Sequence, residues 1–395
     1  MKVPNRVPVI MYHSVGRCIP DWRWSFLTVP LRVFEDQMEW LYRAGYRTAN
    51  LEELYGHVSG RRLLPEKSVV LTFDDGYLDN WTHACPVMSR YGFSATVFVT
   101  PEFVDKRDIV RPPIGKTTGG AAPEVRGFMS WRELKEASDS GVLSVQSHLM
   151  THTWYPAGPE ILDFHHPGDD YYWLGWNEDP ANKPYYLGNP AAESVGFGTP
   201  VYVHRKSMEA NRYFIRNGEG AFLRRYVKQN GGVSFFRKEG WRDELFSELK
   251  RYREEKGADG SYESASEKRE RLFFELAESK RIIEQMTGAE VNFMCWPGGG
   301  YDDEAVAAAL RIYKAVTLGS RDRSGARNRP GEDPSKIKRI GAPYFNYRDA
   351  IYYASGRYLV RYLDEYRGVP MARKKRQALK LANHVMLRLG LHAQS

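Results

Sequence analysis

Two carboxylates stand side by side where an apolar run ends. In VVLTFDDG, Val69 to Phe73 reads as a buried strand, and Asp74 and Asp75 follow it directly. Like charges beside a buried strand disfavour each other's ionised form, and a bound cation is the simplest relief. The cation's further ligands are offered by QSHLMTHTW, where His148 and His152, four residues apart, follow another predicted strand end. Two imidazoles and one carboxylate leave open positions on zinc or a similar divalent ion. Such an ion draws the pKa of a water toward neutrality, and the spare carboxylate can take the proton. The chemistry indicated is metal-assisted hydrolysis, with Asp75, His148 and His152 as ligands and Asp74 as base. Taken singly, an Asp-Gly turn and a satisfied core or surface histidine are the plainer readings, and the pairing of the two motifs is what favours the metal.

In a parallel α/β architecture such groups sit at the carboxyl ends of strands, and the surrounding pattern supplies them. Strands are predicted at Val7 to Met11, Val69 to Phe73, Ala95 to Val99 and Val142 to Gln146. Helices are predicted at Phe34 to Ala44, Asp79 to Tyr91 and Trp131 to Asp139. This alternation predicts a mostly parallel sheet, closed into a barrel or open and doubly wound. It stops near Trp154 and resumes at Leu272 with a helix, a strand at Val291 to Met294, a Gly-rich turn, a helix at Asp303 to Tyr313 and a strand at Lys314 to Thr317. The expected domains are a discontinuous barrel, 1–155 and 272–345, an insertion, 156–271, and a C-terminal extension, 346–395. The first half of the insertion is crowded with aromatics, as in DDYYWLGW, and reads as ordered loop: a satellite core, a lid on the barrel or a carbohydrate-stacking surface. KGADGSYESAS reads as a solvent-exposed linker.

Thr72 to Gly76 followed by Ser147-His148-x-x-x-His152 resembles the first two motifs of the polysaccharide deacetylase family, carbohydrate esterase family 4. The opening PVIMYHSV is similar to the branch that includes poly-N-acetylglucosamine de-N-acetylases. The resemblance covers about 1–155 and 272–345. It implies an α/β fold, a distorted (β/α) barrel carrying a large aromatic-rich insertion. It also implies a hydrolase that removes an N-acetyl or other N-acyl group from an amino sugar in a polysaccharide, glycolipid or cell-envelope precursor. Asp74 would be the base, and Asp75, His148 and His152 would hold the metal, zinc first, with cobalt, nickel or iron as alternatives. The third motif resembles CWPGGGYDD, which makes Trp296 and Pro297, with Tyr77, candidate substrate contacts. Cys295 stands where many members carry the arginine that partners the base. The family's usual acid, a histidine near the C-terminus, has no counterpart here. His13, at the end of the first predicted strand, takes that place, because a closed barrel sets the first strand beside the last. His165 and His166 are rivals if the insertion folds over the site. An inactive carbohydrate-binding protein on the same scaffold is the alternative function.

The formal charge of +8 is concentrated at one end: seven cations and no acid follow Glu365. A basic tail without interleaved aromatics does not suit nucleic acid. The tail's amphipathic pattern, with Leu379, Ala382, Val385, Met386 and Leu389 on one face, suits either an anionic membrane surface or packing on the barrel. The opening residues lack a signal-peptide pattern, and no apolar run approaches the roughly 20 residues of a membrane span. The expectation is therefore a cytoplasmic enzyme, peripheral at most to the inner membrane face. Three widely spaced cysteines fit a reducing compartment.

Overall fold

The computed structural model describes residues 5–389 except 20–21, 115–123, 125, 186–193, 217, 259, 320–321, 323 and 349. Its centre is a set of short parallel strands: β1 (Val9–Tyr12), β2 (Ser68–Phe73), β3 (Ala95–Val99) and β4 (Leu143–Ser147) from the first half of the chain. After the insertion hairpin β5 (Trp154–Phe164) and β6 (Pro200–Lys206), the set continues with β7 (Phe293–Met294), β8 (Ala315–Leu318), β9 (Lys336–Lys338) and β10 (Ile340–Gly341). The order is β9-β8-β7-β4-β3-β2-β1-β10. Every neighbouring pair along this path is parallel.

The two ends of that path belong to one stretch of chain. Lys336 to Lys338 pair with β8, Ile340 and Gly341 pair with β1, and Arg339 alone interrupts them. The sheet is thus a distorted (β/α) barrel whose seam is closed by a strand broken at one residue. Strands buried on both faces need apolar residues at successive positions, and Ser68 to Phe73 are all buried. Helices such as Leu31–Arg43 and Trp131–Asp139 cover the outside, the latter started by a capping box from Ser130 and Glu133.

The region after Asp79 is helical as expected, but it opens with a wide π-type turn, Asn80–Ala84, before the helix Cys85–Arg90. Pro86 accounts for this, because it has no N–H to continue the ladder. The turn lets the Asn80 side chain donate to the carbonyl of His13 (2.7 Å), which ties the end of β1 to the segment after the aspartates. A second wide turn, Phe274–Glu278, carries the buried Glu275.

Two readings of the insertion are corrected. Its first half is not loop throughout: β5 and β6 form an antiparallel ribbon, with register shifts between Pro156 and Ile161 and again before Asp163. Proline and glycine are tolerated there because a two-stranded ribbon has free edges and bulges. The presumed linker also has structure, since Gly260–Tyr262 pairs with Tyr213–Ile215 and Ser264 caps the next helix. Among the described residues, no helix is long and apolar enough to cross a membrane.

Candidate active site

All the chemistry-bearing side chains lie at the carboxyl ends of the barrel strands. Asp74 prolongs the ladder of β2, its N–H donating to the Tyr12 carbonyl (3.0 Å). The chain then turns sharply, with Asp75 and Gly76 both left-handed (φ 72° and 77°). Aspartate tolerates that conformation better than most side chains. At Gly76 a Cβ would lie 3.0 Å from Val99, so the turn has little room for another residue. Its effect is to aim two adjacent carboxylates at two different sets of partners.

Asp75 meets the histidines. Its Oδ1 lies 3.2 Å from His148 Nε2 and 3.3 Å from His152 Nε2, and ligand atoms of all three residues fall within 4.8 Å of one another. His148 Nδ1 lies 3.0 Å from the Cys295 carbonyl. A carbonyl only accepts, so Nδ1 carries a hydrogen and Nε2 is the ring atom that faces the carboxylate. Burial lowers the pKa of His152, and its Nδ1 is buried without a partner. Burial opposes the ionised form of Asp75, but the two imidazoles outweigh it and hold the carboxyl well below its usual range. Two imidazole nitrogens and a carboxylate converging on one point fit a divalent cation, which would take the place of the hydrogens between them. The loop between the histidines is held from the second wide turn: Glu275 accepts from the N–H of Met150 and Thr151 (both 3.1 Å) and from the Thr151 hydroxyl (2.5 Å).

Asp74 meets an arginine absent from the expected third motif. Arg339 Nη1 and Nη2 bond its two oxygens at 2.6 and 2.8 Å, a bidentate pair almost wholly buried. The strand break that closes the barrel places this guanidinium, and it also lies 2.7 Å from Cys295 Sγ. The expectation that the base lacks its partner is therefore corrected: the third motif supplies only Cys295, and the closing strand supplies the cation. Burial opposes ionisation of Asp74, but Arg339 overcomes it and keeps the pKa below the usual carboxylate value. His13 Nε2 is 4.0 Å from Asp74 Oδ2, at the exposed side of the pair.

These groups open into a cavity of about 470 Å³, a size typical of small-ligand sites. Tyr77 and Trp296 line it, whereas Pro297, expected as a substrate contact, is buried and does not. The insertion roofs it with Trp154, Tyr172 and Trp176, and Trp24 packs edge-on against Tyr172 at 4.7 Å. The aromatic-rich segment is thus part of the site's wall. His165 and His166 are not: His165 bonds Asp169 (2.6 Å), and His166 lies beside Asp163 and Arg242. Neither lines the cavity, whereas His13 does.

Residues 61–163 match the family model for polysaccharide deacetylase, a range that contains both aspartates and both histidines. That stretch of the chain is what resembles the polysaccharide deacetylase family. The chain is 32% identical over 149 residues to the Bacillus subtilis (strain 168) protein YxkH, whose name places it among the polysaccharide deacetylases; this is 38% of this chain and 44% of that one. It is 28% identical over 152 residues to the Escherichia coli (strain K12) poly-beta-1,6-N-acetyl-D-glucosamine N-deacetylase, 38% of this chain and 21% of that one. The chain therefore spans less than half the length of either relative. Among solved structures, a de-N-acetylase from Aggregatibacter actinomycetemcomitans is similar at a TM-score of 0.49 and 19% identity, over 85% of this chain and 94% of that one.

Proposed function

We propose that this protein is a polysaccharide deacetylase that hydrolyses the N-acyl amide, acetyl or formyl, of an amino sugar, using a divalent metal. The observation that carries the reading is the division of labour between adjacent carboxylates, with Asp75 facing two imidazoles and Asp74 clamped in its ionised form by Arg339. A divalent ion held by Asp75, His148 and His152, zinc being the ordinary choice for such ligands, would polarise the amide carbonyl and acidify a water. Asp74 accepts that water's proton, and its bidentate bonds fix the carboxylate plane toward the cavity. His13, at the mouth of the site beside Asp74, protonates the departing nitrogen. Trp296, Tyr77 and the roof aromatics offer flat faces to a sugar ring and keep bulk water out.

The substrate test is acetate or formate release from N-acylated glucosamine oligomers, glycolipids and precursors by protein of known metal content. Release from one class identifies the substrate. Tight sugar binding without release from any of them would establish the carbohydrate-binding alternative instead.

The C-terminal helix Ala372–Arg388 adds a location to this reading. Ala372 and Leu387 face inward, with Arg376 bonded to Glu365 and Tyr358. Leu381, Val385 and Leu389 face outward at 69%, 47% and 65% exposure. Lys374 and Arg388 border that stripe at helical spacing. Leu379 packs inward, so the outward face differs from the one expected. An apolar stripe rimmed by cations suits an anionic membrane surface. Replacing Leu381, Val385 and Leu389 together by Glu is expected to cut co-sedimentation with anionic vesicles at least tenfold. Unchanged sedimentation would return the helix to a purely structural role.

A further inference from the structure

Three cations line the cavity: Lys206, Lys338 and Arg339. Two are answered by carboxylates, Lys338 by Asp322 (2.9 Å) and Arg339 by Asp74. Lys206 is not; among the described residues no carboxylate lies within the 4.0 Å of an ion pair from its ammonium, and Asp75 and Glu209 act on it only at longer range.

The protein nevertheless builds a seat for that ammonium. Lys206 ends β6 of the insertion ribbon, opposite Trp154 at the start of β5. Its Nζ lies over the Trp154 ring, 4.2 Å from the centroid. On its other side runs the glycine stretch of the third motif. A Cβ on Gly298 would fall 1.8 Å from Nζ, and one on Gly300 would fall 2.9 Å from the lysine's Cβ and Cδ. The glycines thus clear the path along which Lys206 crosses into the cavity. The Trp154 ring that carries the ammonium is itself 6.0 Å, centroid to centroid, from His152. The cation and His152 therefore share Trp154 as a neighbour.

An uncharged glycan gives this cation nothing to pair with, and enclosing a charge without a partner is costly. A polymer already partly deacylated would be worse, since each freed amine becomes a second cation in the same cavity. The ammonium is a compact point charge, suited to a tetrahedral phosphate, whereas a planar carboxylate is better matched by a guanidinium. We propose that Lys206 recognises a phosphate on the amino sugar whose N-acyl group meets Asp74, so that the substrate is a phosphorylated amino sugar. The inference rests on the deacylase reading of the same cavity and narrows it.

The test measures binding as well as turnover. N-acetylglucosamine and N-acetylglucosamine 1-phosphate are titrated calorimetrically into metal-loaded wild type, Lys206→Met and Lys206→Arg, with bound metal counted in each. The wild type is expected to bind the phosphorylated sugar at least tenfold more tightly, the methionine variant to lose that preference with its metal retained, and the arginine variant to keep most of it. Equal binding of the two sugars by the wild type, or a preference that survives Lys206→Met, would overturn the proposal. Acetate release from the same sugars separates this proposal from the reading beneath it. Phosphate preference in binding without release from either sugar would sink the deacylase reading and leave the phosphate site standing. Release from both sugars at equal kcat/KM, with equal binding, would do the reverse. Uridine-diphosphate-linked and lipid-diphosphate-linked N-acetylglucosamine, the latter in detergent micelles, then show whether the phosphate belongs to a soluble or a membrane-held substrate.

Discussion

Replacing Arg339 with Met is expected to destabilise the protein by about 3–5 kcal/mol, the usual cost of removing one partner of a buried ion pair, and to give that loss a characteristic pH dependence. In the native protein Arg339 holds the pKa of Asp74 below the unfolded value near 3.8. The pair's contribution is therefore present above that value and lost as pH falls through the lower, folded one. Without the guanidinium, burial acts on Asp74 with only the histidines to oppose it, and its folded pKa rises above the unfolded one. The sign then reverses: the variant keeps most stability in acid and loses more as pH rises. Urea midpoints of chelator-treated wild type and variant across pH 4 to 8 check this, with the gap between them widening toward pH 8. The acid limb of the activity profile should move upward in the variant, because Asp74 must lose its proton before it can accept one. A stability gap constant with pH, together with an unmoved acid limb, would mean that Arg339 merely fills space.

Asp74→Asn is expected to lower kcat by about 10²–10⁴-fold, the range for loss of a general base, with the bound metal unchanged. Metal retention follows from geometry, since Asp75, His148 and His152 form their cluster without Asp74 oxygens. An amide offers Arg339 one acceptor where the carboxylate gave two, so a stability loss of about 1–3 kcal/mol accompanies the change. The comparison must therefore use the folded fraction at equal metal content. If kcat per folded, metal-bound molecule equals that of the wild type, Asp74 is a structural partner of Arg339 and not the base.

What could be read from the sequence was whatever depends on short-range order. Asp74 and Asp75 end a strand with no polar interruption, and His148 and His152 are separated by a single turn of chain, so strand polarity alone puts them at one end of the sheet. His13 was within reach because the first strand of a closed barrel meets the last, as β1 meets β10. Arg339 was missed because it lies 265 residues from Asp74 and only barrel closure brings them together. The available signal was the alternation Lys336-Ile337-Lys338-Arg339-Ile340, where the last strand had to be and where two cations stand together between the isoleucines. The ribbon that carries the aromatic roof was read as loop for a different reason. Its ribbon is irregular, and Trp154, Tyr172 and Trp176 gain their meaning by packing over His152 and the barrel mouth, which no periodicity reports. Lys206 was invisible for the same reason, and the glycines of the third motif, which could be read as a turn, also serve to make room for it.

N-deacylation is expected to depend on one divalent ion held by Asp75, His148 and His152. The measurement that tests it most directly is acetate release from an N-acetylated amino-sugar substrate by chelator-stripped protein, followed as zinc or cobalt is returned in sub-stoichiometric steps. The expected result is negligible release from the stripped protein, a rise that saturates at one ion per chain, and no recovery at that stoichiometry in His152→Ala. Full activity in the stripped protein, or saturation unaffected by loss of His152, would contradict it.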